Sequence, residues 1–361
     1  MKFKYLNTAN ASYSFLLIIF VFFISPSSAN AQAIYVSPAD GHEVASGTKA
    51  DPLNTLGKAV ALASTFSGRE PVTIKLEPGL YVLDKQILIN PFPGITDTVQ
   101  YTIEAQIMPD DTSWQPAKMP VIQSVSANNK DYGHFNHCIG FQVERNNVCF
   151  RGLKFIGNAN TSVDYFYVIE RHNPELDGLS ISQCYFIGDK NAAPIQGGLF
   201  VQGGDFNVDH CIFYGCKNAI LTFAGIKNFS LTHSIIYGSY EGAFWYGYNQ
   251  TADVPFTFRD NIVAACNYFF VGYRGIHDNY SFSNSLITDN RYYMGFNGEQ
   301  IKPDMENKPK EDHIVKSGTV FLNEVTLSGT PSDYLQPSPV SAGRDIDAGI
   351  FKKLFKGNHY P

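Results

Sequence analysis

The sequence predicts an all-β fold, a right-handed parallel β-helix with three strands per coil and a short N-terminal capping helix. Three observations carry that reading. Past residue 145 the chain repeats a period-2 strand, a small-residue corner and a second short strand. A third apolar strand lies between successive repeats, and no repeat shows helical periodicity.

The repeat runs through "NVCFRGLKFIGN" (147–158), "GLSISQCYFIGD" (178–189), "DFNVDHCIFYGC" (205–216), "NFSLTHSIIYGS" (228–239), "PFTFRDNIVAAC" (255–266) and "NYSFSNSLITDN" (279–290). Aligned on their corners, Cys184, Cys211, Ser234, Asn261 and Ser285 form a column, spaced 27, 23, 27 and 24 residues apart. Phe186, Phe213, Ile236, Val263 and Ile287 make one apolar column; Ile181, Val208, Leu231, Phe258 and Phe282 make another. One coil cannot bury its apolar edge alone, so like residues stack into a continuous core. A β-sandwich would space its strands more closely through hairpins.

Taken in chain order, the first element is not fold. Lys2 and Lys4 precede the apolar run "FLLIIFVFFI" (15–24), and "ANA" (29–31) fits a small-residue cleavage site. Residues 1–31 read as a signal peptide cut after Ala31, since the run is short for a membrane span. The mature protein is then secreted or periplasmic, with no membrane partner. Residues 32–352 form one β-helix domain and 353–361 a C-terminal tail. A helix over 54–65, with Leu56, Ala59, Val60 and Ala63 on one side, would cover the first open strand edge. The charged stretch "GEQIKPDMENKPKEDHIVKSG" (298–318) breaks the coil rhythm and reads as a long loop over the final coils.

Composition sets outer bounds. With 361 residues and 44% hydrophobic content there is enough apolar material for one elongated core. A net charge of −6 without a long basic run excludes a nucleic-acid partner. The chain is expected to act as a monomer. Its six cysteines would suggest disulfides in an exported protein. Cys184 and Cys211 stack on adjacent coils with the wrong mutual angle for a bridge, and Cys216 and Cys266 lie two coils apart, so buried free thiols are expected.

The third strands are "GGLFVQGG" (197–204), "NAILTFAG" (218–225), "GAFWYGYN" (242–249), "NYFFVGYR" (267–274) and "RYYMGFN" (291–297). Successive strand side chains alternate between faces. Leu199, Ile220, Phe244, Phe269 and Tyr292 are placed inside, with Val201, Thr222, Tyr246, Val271 and Met294. Trp245, Phe270 and Tyr293 then stand outside as an aromatic ridge beside the Gly247, Gly272 and Gly295 column. Such a ridge suits a flat sugar face. A one-residue slip would exchange the faces.

At this point the chain resembles a known group. "IYVSPADGHEVASGTKADPLNTLGKAVALA" (34–63), "VTIKLEPGLYVL" (72–83) and "YLQPSPVSAGRDIDAGIF" (334–351) are similar to the opening segment, first coil and closing segment of secreted right-handed parallel β-helix proteins of the pectin lyase-like superfamily. The resemblance covers roughly residues 33–352. It implies that substrate lies along the third sheet and the turn after it, where Asn249, Arg274, Asn297 and His277 fall. β-Elimination from a uronate needs its carboxylate neutralised, a base at C5 and an acid for the leaving oxygen. Arg274 is the candidate neutraliser; His277 or Tyr273 would move the proton. The resemblance leaves calcium open as a cofactor, although no cofactor motif and no acidic calcium cluster is recognisable.

Other clusters were weighed against this one. "VIERHN" (168–173) places Arg171 and His172 on the same sheet about four coils earlier, roughly 19 Å away, as subsite residues. His210 and His233 on adjacent coils, near Asp209, read as a solvent-facing ladder more readily than as metal ligands. Hydrolysis would need two facing carboxylates, and Glu241 and Asp253 flank the aromatic strand. The Asn-Thr-Asp and Asp-Asp pattern of polygalacturonases and the Trp-Ile-Asp-His and Arg-x-Pro-x-x-Arg segments of pectate lyases do not occur. The expected function is therefore an exported, polysaccharide-active β-helix, foremost a lyase acting on a uronate-containing polysaccharide. The alternatives are a glycoside hydrolase in the same groove and a non-catalytic carbohydrate-binding or surface protein.

Overall fold

The computed structural model describes residues 32–93, 98–131, 135–246, 256–273, 280–305, 309–324 and 331–352. The expected signal peptide, the tail 353–361, Asn249, Asp253, Arg274 and His277 lie outside the described residues.

The chain winds as a right-handed parallel β-helix with three faces. The first face stacks strands such as Leu179–Ser182, Phe206–Asp209, Phe229–Thr232 and Phe256–Arg259, in parallel register. Tyr185–Ile187, Ile212–Tyr214, Ile235–Tyr237 and Ile262–Ala264 belong to the second face. The third holds Phe166–Arg171, Gly197–Val201, Asn218–Thr222, Gly242–Tyr246, Tyr268–Tyr273 and Tyr292–Asn297. One long strand, Tyr280–Thr288, closes both the first and second faces.

Both apolar columns of the repeat stack as residue partners and are buried. Rings dominate: Phe229 lies between Phe206 and Phe256, with centroids 4.9 and 4.4 Å away and planes within 6°. The small-residue corner is a polar ladder. Ser234 Oγ accepts from Cys211 N, Asn261 Oδ1 from Ser234 N and Ser285 Oγ from Asn261 N, at 2.9–3.0 Å. Each side chain thus satisfies a backbone donor one coil earlier, where an orphan would be costly. All six cysteines are free thiols, and burial pushes Cys266 up to about 12.

The second corner needs left-handed backbone. Gly215 (φ 64°) and Gly238 (φ 70°) supply it, but on the next coil Ala265 holds φ 58°. A Cβ there costs about 1–2 kcal/mol, against roughly 0.5–1 kcal/mol of extra chain entropy for glycine. Ala265 is exposed, so no packing is lost on removing its methyl. Ala265→Gly is expected to stabilise the protein by about 0.5–1 kcal/mol, seen as a higher urea midpoint at unchanged slope.

The ends are closed. The helix Leu56–Ala63 starts at Thr55, whose hydroxyl accepts from Lys58 N at 3.3 Å. It buries Leu56, Ala59 and Ala63 against the first coil. The segment 298–318, expected as a loop, instead carries two short strands. Lys302–Pro303 pairs antiparallel with Tyr292–Asn297, and Lys310–Val315 extends the first face in parallel. Residues 320–324 and 331–351 lie over the outer side of the second face, where Ile212, Ile235, Ile262 and Leu286 form a separate apolar cluster with Val320, Leu335 and Ile350.

Candidate functional site

The corners leading into the third face differ in length, and that difference builds the site. Residues 215–217 and 265–267 make two of them, whereas 238–241 make the corner between. The extra residue appears as a bulge: Glu241 N and Gly242 N both donate to Lys217 O, at 3.0 and 3.3 Å. Bulges of this kind re-aim a side chain. Here Glu241 is turned onto the outer side of the third face. Its carboxylate accepts from Asn218 Nδ2 at 2.7 Å and pairs with Lys217 Nζ at 3.5 Å.

Above that corner lies a groove of about 600 Å³, bounded by Lys217, Tyr240, Glu241, Trp245, Tyr268, Arg291, Tyr292, Asn297 and Glu299 among others. Trp245 lies across Gly242, where a Cβ would come within 3.2 Å of the indole. Tyr268 and Tyr292 stack at 4.8 Å and 25°, and the Arg291 guanidinium sits 5.2 Å from the Tyr292 ring centre. Burial, then Cys216 and Glu241, push the Tyr240 phenol up to about 12, so it stays protonated at neutral pH. Aromatic floor, two cations, a fixed carboxylate and a neutral phenol therefore share one open groove.

The expected site residues are redistributed. Trp245 faces outward and lines the groove, as does Asn297. Phe270 does not: it pairs with Phe244 and Met294, is 1% exposed and lies in the core. The ladder begins one residue later than the sequence alignment took it, at Tyr268 opposite Gly242, and so puts Phe270 beside Phe244 and Val271 beside Trp245. Tyr292, expected inside, instead lines the groove and stacks on Tyr268. Tyr293 stacks on core Phe269 at 5.1 Å, donates to Glu311 at 2.6 Å and carries Lys316 over its ring at 4.4 Å. The strand Lys310–Val315 and the residue after it thus cover it. Tyr273 accepts from Asn297 Nδ2 at 2.8 Å, at the rim.

Arg171 is also corrected. It shares an inward column with Val201 and Thr222, is fully buried, and donates to Gln202 O at 2.6 Å and Gly204 O at 2.9 Å. It fastens a turn and is out of reach of substrate. His172 stays accessible, 3.2 Å from Gln202 Nε2, but does not line the groove. Lys217, Tyr240, Tyr268, Arg291 and Glu299 were missed from sequence. The available signal was the corner 238–241, one residue longer than its neighbours.

No protein-family model matches the chain, and no curated protein matches it. Among solved structures it is similar to a rhamnogalacturonan lyase, 13% identical, over 73% of this chain and 70% of the other, with a TM-score of 0.48. It is also similar to XylC in complex with xylose, 8% identical, over 85% of this chain and 73% of the other, with a TM-score of 0.35.

Proposed function

We propose that the protein is an exported polysaccharide-active β-helix that binds an acidic glycan along the third face and cleaves it by β-elimination at a uronate. The single observation behind this is the groove itself, in which an aromatic floor adjoins Arg291, Glu241 and Tyr240. Sugar faces stack on Trp245 and the Tyr268–Tyr292 pair. Arg291 offers the planar cation that neutralises a uronate carboxylate. Glu241 would accept the C5 proton, and neutral Tyr240 would return one to the leaving oxygen as its bond to C4 breaks. The product gains a C4–C5 double bond and one new reducing end. Arg274, the next residue after Tyr273, and His277 three residues further on are kept as the alternative neutraliser and proton carrier of this reading.

A second reading rests on Glu299, which lines the groove with Glu241 and would take the role expected of Asp253. Glu241 with Glu299 would be the carboxylate pair of a glycoside hydrolase. Both readings are separated by incubating the mature protein with alginate, pectate, glycosaminoglycans and neutral glycans. Ultraviolet absorbance of unsaturated product and new reducing ends are followed together. Elimination raises both on a uronate polymer; hydrolysis raises reducing ends alone. Retained binding with neither signal leaves a carbohydrate-binding protein and overturns both. Trp245→Ala is expected to weaken binding of the responding polymer roughly tenfold through lost stacking, measured by affinity electrophoresis.

A further inference from the structure

On another side of the coil, at the corner between the first and second faces, Asp209, His210 and His233 form a cluster that the groove chemistry does not use. The two histidines hold the same corner position on adjacent coils, each with φ 51°. Gln183, Asp260 and Asn284 take that position on other coils, at φ 53°, 57° and 46°. The imidazoles stack with centroids 4.5 Å apart and planes at 13°. One carboxylate faces both rings: Asp209 Oδ1 is 3.0 Å from His233 Nδ1, and Oδ2 is 3.0 Å from His210 Nδ1.

His210 is the anomaly. It is 5% exposed, its Nδ1 faces Asp209 Oδ2 at 3.0 Å, and its Nε2 has no hydrogen-bond partner among the described residues. Buried imidazoles normally satisfy at least one nitrogen. His233, by contrast, hydrogen-bonds Asp209. A carboxylate and two imidazoles, their donor atoms within 4.8 Å of one another, make a compact set of metal-ligating groups.

We propose that Asp209, His210 and His233 bind a divalent transition ion of the zinc class. Two imidazoles and one carboxylate suit zinc, which takes three protein ligands and leaves a fourth position for water. Calcium prefers an all-oxygen shell and is excluded. The donor atoms lie within 4.8 Å of one another. Two bonds of about 2.1 Å span at most roughly 4.2 Å, so a small turn of the rings closes the site. The cation now beside Asp209 is Lys352, whose Nζ is 3.5 Å from Oδ2. A bound ion would displace it. Gly349 N donates to His233 O at 2.9 Å, so the ion would pin the corner on which the C-terminal segment rests.

The test is calorimetric titration of the chelator-treated mature protein with zinc, and with calcium as control. One zinc per chain and no calcium response are expected. Asp209→Asn and His233→Ala should each weaken zinc at least about tenfold. Lys352→Ala, at an exposed position, should tighten it by up to about fivefold, because a competing cation is gone. A purely structural ladder would not move that way. The proposal is overturned if no zinc binds. It is overturned equally if zinc binds with an affinity that neither Asp209→Asn nor Lys352→Ala changes, which would assign it to exposed histidines such as His313. Glycan turnover in the groove is read separately, so the two proposals fail independently.

Discussion

Glu241→Gln is expected to lower turnover of the responding uronate polymer by about 10²–10⁴-fold, the usual contribution of a positioned proton acceptor, while the protein stays folded. The substitution keeps size and shape. The new amide oxygen can still accept from Asn218 Nδ2, now at 2.7 Å from the carboxylate. What is lost is the pair with Lys217 Nζ at 3.5 Å, about a quarter exposed on both sides and worth at most about 1 kcal/mol. A thermal midpoint near the native one with collapsed kcat identifies a chemical role. Binding should persist, since Trp245, Tyr268 and Tyr292 are untouched, so KM changes little. Full activity in the variant would remove Glu241 as the base and return that role to His277. Arg291→Ala distinguishes further: loss of a carboxylate clamp should raise KM and lower kcat together, and only on acidic glycans.

How far the sequence could be read follows from what repeats and what does not. The coil columns were legible because stacking sets like on like: Phe186 over Phe213, Ile181 over Val208. The groove was not, because the strand after Trp245 begins opposite Gly242 at Tyr268, one residue later than its look-alike start at Asn267 suggests. Aligning on look-alike phenylalanines joined Phe244 to Phe269, whereas the ladder joins it to Phe270. With period 2, such a slip misplaces a ring, and Phe270, read as outward, lies in the core. Trp245 was read correctly because its strand pairs with Asn218–Thr222 in the register the sequence suggests. Tyr293 was lost for a different reason: its cover is Glu311 and Lys316, far along the chain and joined to it only by the added edge strand. The histidine corner was visible as a pair, but its left-handed backbone was not, since only glycine announces that conformation in a sequence.

Arg171 carries the other large effect. An arginine on a strand beside a proposed groove reads as a substrate clamp, yet this one is fully buried and serves the fold. Its guanidinium donates to Gln202 O at 2.6 Å and Gly204 O at 2.9 Å, fixing the glycine turn that follows the strand Gly197–Val201. Burial holds its pKa down to about 10, against the opposing pull of Asp177 and Asp205. Arg171→Ala would strand two carbonyls, at about 1–3 kcal/mol each, and leave a cavity. Relief of the buried charge offsets part of that. The balance is expected near 3 kcal/mol of lost stability, read as a lower urea midpoint. Arg171→Met fills the space without supplying donors, so it should cost less than Ala, about 1–2 kcal/mol. Per folded molecule, neither variant should alter glycan binding or turnover. A variant of native stability that lost turnover would return Arg171 to the groove, and the buried guanidinium would then have to reach substrate through an opening of the 202–204 turn.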